Sequence, residues 1–162
     1  MASGTKIAVV ETNHGTFKLE LDLARAPRTA GEFVARASTG AYDRNSFHRV
    51  AANFVIQGGA VRGAEHVPWE GTGLKNTRYS IAMARSGSAN DAMSKDTATS
   101  QFFINLRDNA LLDRFTYPYV VFGRVIEGQS VVDVIGELHP GNPDYDGPPA
   151  TIATIVRVSI QA

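Results

Sequence analysis

Residues 47–59 read Phe47-His48-Arg49-Val50-Ala51-Ala52-Asn53-Phe54-Val55-Ile56-Gln57-Gly58-Gly59. This short stretch holds one strong cation, two amides, bulky apolar groups and a closing pair of glycines. Its two halves, 47–50 and 55–57, are β-prone, and Asn53 breaks the run between them. Alternate side chains of a strand share a face. Phe47 and Arg49 are therefore expected to point one way, and His48 and Val50 the other. Val55 and Gln57 share a face by the same rule. An arginine on the side of apolar groups needs acceptors, because a buried guanidinium is costly without them.

Upstream, Lys6–Thr12 and Thr16–Leu21 read as a hairpin turning at Asn13-His14-Gly15. Phe17, Leu19 and Leu21 alternate with polar residues, so one face of the second arm is buried. A helix follows. Thr29 and Glu32 have capping-box spacing, Ala30, Phe33, Val34 and Ala37 form one stripe, and Gly40 is the stop signal. Downstream, residues 58–78 form a long loop, a class of connection that is usually functional or mobile. Strands are expected at Ser80–Ala84, Gln101–Leu106, Tyr119–Ile126 and Ile152–Ile160. Residues 85–99 are small and polar and read as an exposed loop. Residues 109–113 suit a single helical turn. A second helix is expected from Gln129 to Leu138, with Val131, Val134, Ile135 and Leu138 on its apolar side. The segment 139–149 holds four of the seven prolines and reads as loop. Periodicity alone supports a mostly β chain with two helices.

Two further blocks stand beside 47–59: Ser100-Gln101-Phe102-Phe103-Ile104-Asn105 and Tyr119-Val120-Val121-Phe122-Gly123. Together, in this order and spacing, the three blocks resemble the cyclophilin family of peptidyl-prolyl cis-trans isomerases, bacterial or archaeal members above all. The resemblance runs from about Lys6 to Ser159. It implies a closed eight-stranded antiparallel β-barrel capped by two α-helices, as one domain spanning residues 1–162.

The composition sets limits of its own. A chain of 162 residues suits one domain with a sizeable core. Sixteen basic and sixteen acidic residues cancel, so no charge excess draws the chain to nucleic acid or an anionic membrane. The absence of cysteine removes disulfides, thiolate catalysis and Cys-ligated metals. The first residues lack an apolar signal region and no stretch approaches a membrane span. The expectation is a cytoplasmic monomer, or a periplasmic or secreted protein if a signal peptide has been removed.

Rotation about an X–Pro bond breaks amide resonance across a barrier of about 18–20 kcal/mol and takes tens to hundreds of seconds uncatalysed. No bond need be made or broken, and no cofactor or metal is called for. In the twisted amide the prolyl nitrogen regains its lone pair. A donor that binds better there lowers the barrier by differential binding. The resemblance assigns that donor role to Arg49, an always-charged fork of N–H groups. Taken alone, Arg49 reads as a surface or ion-paired residue. The resemblance makes Gln57 its catalytic companion and places a proline pocket at Phe54, Val55, Phe103, Leu112 and Tyr119. Each of these, taken alone, reads as barrel core. Gln101 would bond the substrate backbone or hold Arg49. Ala84, Arg85 and Ser86 match the segment whose backbone pairs with bound peptide.

The chain departs from the family pattern at Val55, where many members have Met, and at Arg85, where many eukaryotic members have Asn. Leu111, a further substrate-site position, replaces a tryptophan of the cyclosporin-sensitive eukaryotic members, and Tyr119 replaces a histidine. Loss of the indole N–H at Leu111 implies that cyclosporin binding is weakened more than turnover. The implied partners are proline-containing peptides and unfolded or partly folded proteins. His48 invites a general-base role but faces away from Arg49, and the reaction needs no base. His14, His66 and His139 lack metal-ligand spacing. Ser86 and Ser88 have no marked His or Asp partner. Two alternatives stand beside the isomerase. One is a proline-peptide binding module on the same barrel. The other is a metal-dependent enzyme built on Glu65 and His66.

Overall fold

The hairpin anchors the architecture. In the computed structural model, which describes residues 4–87 and 92–161, β1 (Thr5–Thr12) and β2 (Gly15–Asp22) pair along their full length. Gly15 turns the chain with φ +125°, a conformation open to glycine. Phe17, Leu19 and Leu21 are buried, as the alternation requires. Ser88, Asn90 and Asp91 of the expected 85–99 loop lie outside the described residues.

Downstream, β3 (Asn45–Ser46), β4 (Arg49–Ala51), β5 (Val55–Gly58), β6 (Ser80–Met83) and β7 (Phe102–Asn105) are short, and β8 (Val121–Glu127) is longer. The two-residue β9 (Asp146–Gly147) and the closing β10 (Thr154–Ile160) complete the set. They form one antiparallel sheet in the order β3-β10-β1-β2-β8-β6-β7-β5-β4-β9, curled into a half-barrel. The expected mostly β chain with two helices is found. Among the described residues the strand count is ten because the Phe47 region splits into β3 and β4, and the proline-rich segment contributes β9.

That split overturns the expected side-chain alternation. Phe47 and His48 lie outside any strand. Phe47 and Val50 both enter the main core, while Arg49 faces out of it and His48 is exposed. The period-2 rule fails because it requires unbroken extended backbone. It holds in β5, where Val55 and Gln57 share the face opposite Ile56.

Helix α1 (Pro27–Ser38) covers the core with Thr29, Ala30, Phe33 and Ala37. The Phe33 ring lies 5.1 Å from Tyr42, 5.6 Å from Phe102 and 5.5 Å from Phe122. Burial pushes the Tyr42 hydroxyl up to about 12. The expected Thr29–Glu32 capping box does not form. Pro27 occupies the first helical position, where its fixed φ and missing N–H are favourable. Thr29 therefore falls inside the first turn. Its N–H donates instead to Glu70 Oε1 at 2.7 Å, from the long loop. Glu32 faces Arg36 at 3.7 Å. The far end closes as expected at Gly40 (φ +77°), with Ala41 N donating to Arg36 O and Gly40 N to Ala37 O.

Helix α2 (Gln129–Gly136) is shorter than expected, and its buried side is Val132, Ile135 and Gly136. Val134 is 47% exposed. Gly136 seats against Leu106, where a Cβ would approach within 2.9 Å. This close approach turns the helix toward its 132/135/136 side. Among the described residues no helix is long and apolar enough to cross a membrane.

The apolar side chains fall into two bodies. One fills the curl beneath α1 and α2. The other, built on Ala51, Val55, Ala82, Phe103, Leu112 and Val121, lies on the opposite face of the same strands.

Candidate active site

The second apolar body floors a pocket of about 330 Å³ lined by Arg49, Phe54, Val55, Gln57, Ala84, Arg85, Phe103, Leu112 and Tyr119. Three antiparallel pairings bring its base together. Arg49 sits opposite Gln57, Ala51 opposite Val55, and Gln57 opposite Phe103. Registered pairs of this kind share a face, so a guanidinium, an amide and an aromatic ring line up across three strands.

Arg49 is held from two sides. Its Nε and one terminal nitrogen donate to the two oxygens of Asp146, each at 2.8 Å. The other terminal nitrogen donates to Gln57 Oε1 at 2.8 Å. Gln57 Nε2 in turn donates to Gln101 Oε1 at 2.9 Å. The hydrogen bond to Asp146 raises the Arg49 pKa above its already high value, against burial. The same contact holds Asp146 below the usual carboxylate range. Arg49 therefore remains a cation and Asp146 an anion through the neutral range.

The apolar walls are braced by aromatic edges. Phe103 and Tyr119 meet nearly perpendicular at 5.7 Å, and Phe115 meets Tyr119 at 6.2 Å. Arg85 stacks its guanidinium over the Tyr119 ring at 4.5 Å and donates to Tyr117 O. Burial lowers its pKa, yet an arginine keeps its charge. Trp69 supports the same wall from behind, its indole N–H donating to Pro118 O at 2.8 Å.

Leu111 is not among the lining residues. The 3-10 turn Ala110–Asp113 aims Leu112 into the pocket and leaves Leu111 64% exposed, as three residues per turn dictate. Gln101 reaches the pocket through Gln57 and is not in its lining. In the segment expected to pair with peptide, Ala84 N donates to Gln101 O at 3.0 Å. Ser86 exchanges both backbone groups with Thr97 Oγ1, which ties it to residues 94–97.

The sequence reading did not find Asp146, which is 97 positions from its partner in a segment read only as loop. It also missed a buried amide network behind the pocket. Asn105 Nδ2 donates to Asn76 Oδ1 at 3.0 Å and to Ser80 Oγ at 2.8 Å. Asn109 Nδ2 donates to Asn105 Oδ1 and to Phe54 O. Asp113 accepts from Asn76. These bonds fix the backbone that carries Phe54 and Leu112. Among the described residues no three His, Cys, Asp or Glu side chains cluster as a metal site.

The pocket is an apolar slot with a fixed cation at its rim. The comparisons specify the class. Residues 7–160 match the family model for cyclophilin type peptidyl-prolyl cis-trans isomerase/CLD. A peptidyl-prolyl cis-trans isomerase of Streptomyces antibioticus is 41% identical over 146 residues, covering 82% of this chain and 84% of that protein. Peptidyl-prolyl cis-trans isomerase B of Escherichia coli is 37% identical over 138 residues, covering 76% and 80%. A crystal structure of a Cryptosporidium parvum cyclophilin type isomerase superposes with a TM-score of 0.82 at 25% identity, covering 98% of each chain. The same protein in the presence of the dipeptide Ala-Pro superposes with a TM-score of 0.80 at 25% identity, covering 96% of this chain and 99% of that one. This chain belongs to the cyclophilin family of peptidyl-prolyl cis-trans isomerases.

Proposed function

We propose that the chain speeds rotation about X–Pro bonds with Arg49 as the donor to the prolyl nitrogen of the twisted amide. The slot of Phe54, Val55, Phe103, Leu112 and Tyr119 seats the proline ring. Gln57 and Gln101 steady Arg49 and grip the flanking backbone. Ala84 and Arg85 border the peptide. The observation that carries this reading is the Arg49 guanidinium fixed at the mouth of an apolar slot. A preorganised donor acts on the transition state without reorganising at the moment of reaction.

The substrates are proline-containing peptides and partly folded proteins. Cyclosporin binds weakly, in keeping with an exposed leucine at position 111. The working unit is a monomer. Among the described residues the exposed large apolar side chains, Met93, Leu111, Val134, Ile152 and Val156, come from four separate segments. Residues 1–162 act as one domain, and the cytoplasm is its compartment. The sheet closes as eight strands if β3 and β4 count as one bent strand and β9 as an added edge. The bond from Gly59 N to Ser46 O supports that closure.

The test is exchange NMR on a short Ala-Pro-Phe peptide with wild type and Arg49→Ala. Wild type is expected to accelerate cis–trans exchange. Arg49→Ala is expected to bind the peptide while losing roughly 10²–10³ in rate, the scale of one preorganised donor. Binding without acceleration by wild type would leave a recognition module in place of a catalyst.

A further inference from the structure

Resting on Arg49 as the donor, we infer that Asp146 is a positioning residue for catalysis, delivered to the pocket by the proline-rich segment 139–149. The backbone fixes its place before the side chain acts. Val50 pairs with Gly147 and Ala51 with Asp146 across β4 and β9. Ala52 N donates to Tyr145 O at 2.8 Å. Asp146 is thus carried by a strand registered on the residues next to Arg49, and not by a free loop tip.

The carboxylate meets Arg49 in the planar two-point arrangement, which fixes orientation as well as distance. A guanidinium has five N–H groups. Asp146 takes two and Gln57 takes one. The remaining two lie in a plane already set by three bonds. Without Asp146 only the Gln57 contact restrains the group, and it can pivot about that point.

Two effects of the carboxylate oppose each other. Its charge offsets that of Arg49 and weakens the pull on a developing lone pair. Its geometry holds the donor where that lone pair appears. Asp146 is 52% exposed and Arg49 34% exposed, so solvent screens the charge effect to the small scale of surface pairs. Misplacement of a catalytic group by about 1 Å costs up to about 10²-fold. Positioning is therefore the larger effect, and the sign of the rate change on removing Asp146 separates the two.

The experiment compares wild type, Asp146→Ala and Asp146→Asn in steady-state turnover of an Ala-Pro peptide. The Arg49 Nε–H resonance and the Tm are recorded for each. We expect Asp146→Ala to lower kcat roughly tenfold with KM within a factor of about two, the pattern of a contact that matters in the transition state. Asp146→Asn, which keeps one acceptor, should fall between. The Arg49 Nε–H signal should broaden or shift in both while Tm falls by no more than the few degrees that a surface ion pair is worth. A raised kcat in both variants overturns the inference in favour of charge offset. A raised KM at constant kcat also overturns it, by placing Asp146 in ground-state binding. If wild type itself fails to accelerate exchange, the donor reading of Arg49 falls and this inference falls with it. An active wild type with indifferent Asp146 variants removes this inference alone.

Discussion

Arg49 reaches the pocket because the chain leaves strand geometry at Phe47 and His48. Three bonds then hold it, and one partner is an anion. The sign of the resulting pH dependence follows from Asp146. Its pKa is depressed in the folded protein by the Arg49 hydrogen bonds, from an ordinary value of 3.8. The pair's stabilisation is therefore fully present above that value and is lost as pH falls through the folded value. The Asp146 carboxyl carbon should titrate by NMR with a midpoint below 3.8, and Arg49→Ala should return the midpoint toward that value. A wild-type midpoint at or above it would show that the pair does not persist in solution. The pocket was legible through the family resemblance more than through register: Val55 and Gln57 alternate as read, whereas Phe47-His48-Arg49 leaves strand geometry, and each apolar lining residue taken alone reads as core. Asp146 was not. A lone aspartate among prolines and glycines has no periodicity to read, and its meaning comes from a pairing that spans most of the chain.

At the scale of elements, local rules did well where neighbours in sequence decide the outcome. They failed where distant chain intervenes. The hairpin and the Gly40 stop are local, and both formed as read. The start of α1 is set by Pro27 and completed by Glu70, which no window around Thr29 contains. The face of α2 is set by the close seat of Gly136 on Leu106. Glu70→Ala should therefore cost about 1 kcal/mol, the usual worth of a helix N-terminal acceptor. It should appear as a lower urea midpoint at unchanged slope. Glu32→Ala removes an i,i+4 pair at 3.7 Å in which Glu32 is half exposed, and should stay within about 0.5 kcal/mol. Equal losses from both would mean that the Glu70 contact is not the cap. Because Glu70 lies next to Trp69, this cap also ties α1 to the loop that braces Tyr119.

Across the whole molecule, β1 and β10 lie side by side although they come from opposite ends of the described chain, with Ala8 facing Ile160. A sheet that depends on such pairings must close long loops before its contacts form. Folding is accordingly expected on the scale of roughly milliseconds to seconds. Both helices and most strands share the main core, so unfolding should be all-or-none. Trp69 fluorescence and far-ultraviolet circular dichroism should give one coincident denaturation midpoint. An earlier fluorescence transition would identify the 59–79 segment as a separately melting unit, and with it the brace behind Tyr119.

The two faces of β5, β6 and β7 divide labour one residue at a time. Ile56, Ile81, Phe102 and Ile104 serve the main core, while Val55, Ala82 and Phe103 serve the pocket. Heritable change can therefore reshape what the protein recognises with little disturbance to what keeps it folded. A library randomised at 55, 103, 112 and 119 should return many folded variants with altered peptide preference. One randomised at 56, 81, 102 and 104 should return few that fold at all.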